Sequence, residues 1–175
     1  MCLPARVWSL VAGAWRHGAD HRCRFPASFP GSRIGGEIVS HTRVAELLEA
    51  RLGEWADAKG VPVVWENISE NPPDTLYLQA YAMPATTTTI DLAEKLQVLP
   101  GVWQINVVAK AGGGVSGART LADEVAALFP VGLALIDRGL TCYISTPPTV
   151  YRGISSNTNY SIPVSMMYRA QIVTG

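Results

Sequence analysis

Cysteine and histidine are scarce where a fold could use them. Only three of each occur in 175 residues, and Cys2, Cys23, His17 and His21 all precede residue 39. The rest of the chain keeps one cysteine, Cys142, and one histidine, His41. A single cysteine forms no internal disulfide, so nothing points to an oxidising compartment. Metal ligation needs clustered Cys, His or paired acids, and none occurs. A Ser/His/Asp set would have to use His41, and the one possible thiolate pair is Cys142 with His41. Each has a plainer reading, Cys142 as a small buried hydrophobe on a strand and His41 as a helix-start residue. Glu46 with Glu49, and Asp123 with Glu124, fall on predicted helices as solvated faces. No enzyme chemistry and no cofactor are therefore expected. Nor does any apolar run reach the roughly 18–20 residues of a membrane span, so no membrane partner is expected.

Charge is sparse too, at 16% of residues against 48% hydrophobic, which is ample material for a packed core. The formal net charge is zero but unevenly spread. Residues 1–38 hold five arginines (Arg6, Arg16, Arg22, Arg24, Arg33) against Asp20 and Glu37, which leaves residues 39–175 net acidic. An acidic body is a poor match for nucleic acid, and no sequence-specific binding to it is expected.

Residues 1–38 lack the regular patterning that follows. As a signal peptide they fail, because Ser9 and Gly13 interrupt the apolar run and Trp15-Arg16-His17 stands where a small-residue cleavage site belongs. A basic arm is a second reading. The third is a leader that is not normally translated: Gly35-Gly36-Glu37 can be encoded by a ribosome-binding string, and Val39 by the alternative start codon GTG. Residues 1–38 are thus expected to be an untranslated leader or a disordered tail, and 39–175 a single domain.

Within that domain Val44, Leu47, Leu48, Leu52, Trp55 and Ala56 recur at helical spacing among charged residues. Ser40 or Thr42 can cap this helix, and Gly60 and Pro62 stop it near Lys59. Short strands are predicted at 63–65 and 76–83, the second with Leu76, Leu78 and Ala80 on one face and Tyr77, Gln79 and Tyr81 on the other. Residues 84–100 show no clear period and read as a long Thr-rich connection, functional or mobile. A strand at 102–109 alternates Trp103, Ile105 and Val107 with Gln104 and Asn106. A glycine-rich turn at 112–117 leads into a helix on which Leu121, Ala122, Val125, Leu128 and Phe129 share a face, ended by Pro130. Strands at 133–137 and 140–145 flank a hairpin signal, Asp137-Arg138-Gly139. Further strands are expected at 150–154 and 160–169. Hairpins outnumber βαβ units, so the predicted fold is α+β, a mostly antiparallel sheet with two helices packed on one face.

Gly112-Gly113-Gly114-Val115-Ser116-Gly117 matches G-x-G-x-x-G between a strand and a helix, with Asp137 downstream as a possible ribose ligand. A small nucleotide-binding protein is therefore one alternative. Against it, the preceding strand is polar on one face, Asp137 lies in a hairpin turn, and too little chain remains for further βα units. A nucleotide titration discriminates the two.

What remains is surface. Tyrosine and methionine are enriched at protein interfaces, and the strands with one polar-aromatic face, together with the Thr-rich loop, suit subunit contacts. The candidate interface residues are Tyr77, Tyr81, Met83, Thr86, Thr87, Thr88, Thr89, Leu96 and Gln104 in one patch, and Tyr151, Arg152 and Tyr160 in another.

The succession Ser40-His41-Thr42-Arg43, Trp65-Glu66-Asn67, Pro72-Pro73, Tyr77-Leu78, Met83-Pro84-Ala85, Gly101-Val102-Trp103-Gln104, Leu128-Phe129-Pro130, Pro163-Val164-Ser165 and Tyr168-Arg169-Ala170 resembles the tail-terminator-like proteins of long-tailed bacteriophages and prophages. It covers residues 40–170. The resemblance implies a virion protein with no catalytic residues, made in the bacterial cytoplasm and incorporated in the tail. It implies a ring, typically a hexamer, that caps the completed tail tube and offers a surface to head-completion or connector proteins. The expected partners are thus the chain itself, the tail-tube protein and the head-completion protein. A related head–tail joining or tube protein is the nearer alternative, separated by oligomer size and by the phenotype of a knockout.

Overall fold

A computed structural model describes residues 41–66, 73–90 and 96–173. The leader expectation, and the part of the Thr-rich connection at 91–95, lie outside the described residues.

The first helix, α1 (His41–Lys59), forms where expected, and Val44, Leu48, Leu52 and Ala56 are fully buried along one stripe. Its end is a Schellman motif. Gly60 takes a left-handed φ of +69°, its N–H donates to Asp57 O at 3.2 Å, and Val61 N–H donates to Ala56 O at 3.0 Å. The chain then enters β1 (Val63–Val64), which pairs in parallel with β2 (Tyr77–Pro84).

The 84–100 connection differs from its aperiodic reading. A two-residue strand, β3 (Thr88–Thr89), pairs with Gln97 and Val98, and β4 (Leu96–Lys110) begins at Leu96 rather than near 102. Pro100-Gly101 reads as a turn in sequence. In the fold Pro100 uses only its carbonyl, which accepts from Ala85 N–H at 2.9 Å, and the strand runs straight through. Gly101 is required there, because a Cβ would collide with the Tyr168 hydroxyl and lie 2.8 Å from Met83 O.

After the glycine turn comes α2 (Ser116–Leu128), then the hairpin of β5 (Ala134–Asp137) and β6 (Leu140–Ile144). Arg138 and Gly139 at its tip both have positive φ, as a type I′ turn demands. The strand expected at 150–154 is instead two fragments, β7 (Thr149–Val150) and β8 (Ile154–Ser155), both paired to the last strand, β9 (Asn159–Val173). The sheet runs β1-β2-β4-β9-β6-β5, antiparallel except for β1. β4 and β9 form its spine, paired from Leu96–Val173 to Lys110–Asn159.

Both helices cover one face. Leu48 and Leu52 of α1 and Leu121, Ala122 and Val125 of α2 join a single buried cluster with Trp103, Ile105, Val107, Val164, Met166 and Tyr168. Trp103, fully buried, meets Phe129 edge-on with centroids 6.4 Å apart. Polar links fix the helices. Lys59 Nζ lies 3.0 Å from Glu124 Oε2, and Arg51 Nε donates to Leu128 O at 3.1 Å, meeting an orphan carbonyl at the end of α2. Arg43 ties α1 to the β5–β6 turn through Asp137 Oδ2 at 2.8 Å.

Candidate assembly surface

Among the described residues, the other sheet face carries no helix. Side chains alternate across a strand, so whatever β2, β4 and β9 do not send to the helices stands here in cross-strand rows. The rows run Tyr77–Val108–Ser161, Gln79–Asn106–Pro163, Tyr81–Gln104–Ser165 and Met83–Val102–Met167. Their exposure changes along the sheet. Tyr77 and Val108 are 4% and 3% exposed, whereas Met83 and Met167 are 42% and 53% exposed.

The middle rows are polar and bonded within the sheet. Gln104 Nε2 donates to Asn106 Oδ1 at 3.0 Å, and Tyr81 OH reaches Gln79 Oε1 at 3.5 Å. The last row is apolar, and Tyr143 stands near it on β6, opposite Arg169 of β9. Beside that row a shallow hollow of about 200 Å³ is lined by Ala85, Pro100, Val102 and Met167. Large apolar side chains grouped on an uncovered face mark a contact surface more strongly than single exposed ones do.

Tyr81, Met83 and Gln104 are brought together on this face. Tyr77 is on it but is nearly buried, and burial followed by its neighbour Tyr81 raises its hydroxyl pKa. Thr86, Thr87, Thr88 and Thr89 are exposed, with Thr87 Oγ1 held 3.0 Å from His41 Nε2. Leu96 is half-buried opposite Val173. Tyr151 and Arg152 are exposed between β7 and β8, and the half-buried Tyr160 ring lies close over Gly153. These three belong to a separate region on the edge of β9 away from β4. Sequence reading missed Val102 and Tyr143 as surface, and it counted Met167 among the surface methionines without separating it from the buried Met166. The Met166-Met167 pair carried the signal, because on a strand one of two neighbours must face out.

Three of the features that could have carried chemistry have plainer roles. Cys142 is fully buried, and burial pushes its thiol up to about 12, the opposite of a reactive thiolate. Asp137 is engaged by Arg43. Gly112 and Gly114, at φ +86° and +85°, make a turn between β4, which is paired antiparallel on both edges, and α2. That is not the first turn of a parallel dinucleotide-binding unit.

Residues 43–168 match the family model of phage tail terminator proteins. No curated protein matches the chain. A solved structure whose name carries no functional description is 34% identical, with a TM-score of 0.66 over 78% of this chain and 99% of its own. A chain from the virion of a native gene transfer agent particle is 18% identical, with a TM-score of 0.47 over 76% and 93% of the two chains.

Proposed function

We propose that this chain, a phage tail structural protein that belongs to the phage tail terminator family, closes with copies of itself into a ring, six in number, that caps the tail tube and ends its growth. The observation that carries this reading is the face that holds no helix among the described residues, where Met83 and Met167 stand exposed on either side of the half-buried Val102. A sheet packed on one side only leaves apolar area that a neighbouring subunit or the tube end can bury. The sheet ends in β1 on one side and β5 on the other, and the backbone groups that its edges leave unpaired are ones a neighbouring copy can cover. In a closed ring each contact is heterologous, so two different patches of every copy are used. The finished ring then presents its outer surface to the head-completion protein.

Capping is testable with purified components. Tail-tube protein polymerising in vitro should stop lengthening when this protein is added, with one ring at the growing end in electron micrographs. Tubes that keep lengthening in saturating protein would contradict it.

A further inference from the structure

A second feature lies away from the apolar row. Between α2 and the β7–β8 segment is an open cleft of about 440 Å³, lined among others by Arg119, Asp123, Tyr151, Arg152 and Tyr160. The Tyr160 ring forms one wall, and Gly153 makes room for it, since a Cβ there would come within 2.7 Å of Tyr160 Cε2. Arg119 and Arg152 are exposed and form no ion pair among the described residues. Two unpaired guanidiniums face one carboxylate, that of Asp123, so the cleft is net positive. Guanidinium forks suit carboxylates in particular.

The body is acidic, and its carboxylates are not evenly spread. Glu46 and Glu49 of α1 and Glu66 just past β1 form no ion pair among the described residues either. Glu46 and Glu49 are one turn apart on α1, and the Glu49 carboxyl pKa is raised first by burial, then by the charges of Glu46 and Glu66. This flank of α1 rests on the β1 side, since a Cβ at Gly53, one turn beyond Glu49, would touch the Trp65 ring at 3.5 Å. β1 is the outermost strand on that side of the sheet, whereas β7 and β8 line the edge of β9 that faces away from β4. The two unpaired charge groups, opposite in sign, therefore occupy different parts of the surface, one on the flank of α1 beside Trp65 and one between α2 and β7–β8. A heterologous contact between successive copies needs two such different, complementary patches.

We propose that the cleft at Arg119 and Arg152 of one copy receives the Glu46–Glu49–Glu66 cluster of the next copy, as the charged register of the ring contact. The proposal rests on the ring reading and adds the residues that orient one copy on another. Complementary charge of this kind fixes register and excludes wrong pairings more than it adds raw affinity.

Phage lacking the protein are complemented with plasmid-borne variants, and plaque titre is read. The double variants R119E/R152E and E49K/E66K should each lower titre about tenfold or more, by like-charge juxtaposition. All four changes in one chain should restore most of it. Melting curves of the purified variants report folding, and R152Q with E66Q provides a milder pair where reversal unfolds the chain. Reversals that leave titre intact would overturn the contact without touching the ring. Losses that the fourfold variant does not repair would also overturn it, because the charges would then serve another partner. If the phage without the protein already makes joined tails of normal length, the ring reading itself has failed.

Discussion

Met167 shows how much a single residue on this face decides. It is half exposed at the end of an apolar row, with no helix above it among the described residues. M167E should leave folding stability within about 0.5 kcal/mol, as surface changes usually do. It should abolish assembly, because a carboxylate would be buried without a partner in the contact. Denaturant melts and a phage complementation assay read the two effects, and full complementation by M167E would remove this row from the interface. At the core, Cys142 and Tyr168 are both held neutral. Burial pushes each to about 12, helped at Tyr168 by its neighbour Cys142. In the unfolded chain they ionise near 9 and 10. Below pH 9 neither group alters stability. From pH 9 to about 12 the unfolded state loses protons that the folded state keeps, so stability must fall with rising pH. Urea unfolding across that range measures it, and C142A should flatten the first part of the decline. A C142A profile identical to the parent's would contradict this.

Among elements, the spine strands β4 and β9 are hydrogen-bonded on both edges over most of their length, whereas β3, β7 and β8 are two-residue fragments. Amide hydrogen exchange should therefore be slowest at 103–107 and 162–170 and faster by orders of magnitude at 149–155. Equal protection would mean that β7 and β8 are a stable layer in the monomer. The same contrast explains what could be read beforehand. Long periodic elements announced themselves: α1 by its stripe of Val44, Leu48, Leu52 and Ala56, β2 and β9 by strict alternation, and the β5–β6 hairpin by Asp137-Arg138-Gly139. The start of β4 was hidden, because Pro100-Gly101 is locally a turn signal, and only the Tyr168 hydroxyl and the carbonyl of Met83 explain why a glycine is needed there. The two-residue strands are too short for any period, and their pairing is set by β9. Of the candidate surface, the polar-aromatic side of β2 was legible from alternation. The near-complete burial of Tyr77 was not, because it depends on where neighbouring strands place Val108 and Ser161.

At the scale of the whole molecule, two helices cover one sheet face among the described residues and an apolar row stands on the other, which is the surface the proposed ring contact would bury. Its family membership names the setting, a phage tail, and the sheet edges and separated charge groups suit a closed ring. A protein of this kind can remain monomeric in dilute solution, since a tube end can template the ring, so solution mass alone does not bear on the claim. The direct measurement is the distribution of tail lengths in electron micrographs of phage lacking this protein. Loss of the cap should yield tails of abnormal length, or tails of normal length that never join heads, with both restored by the wild-type chain. Tails of wild-type length correctly joined to heads in its absence would contradict the account.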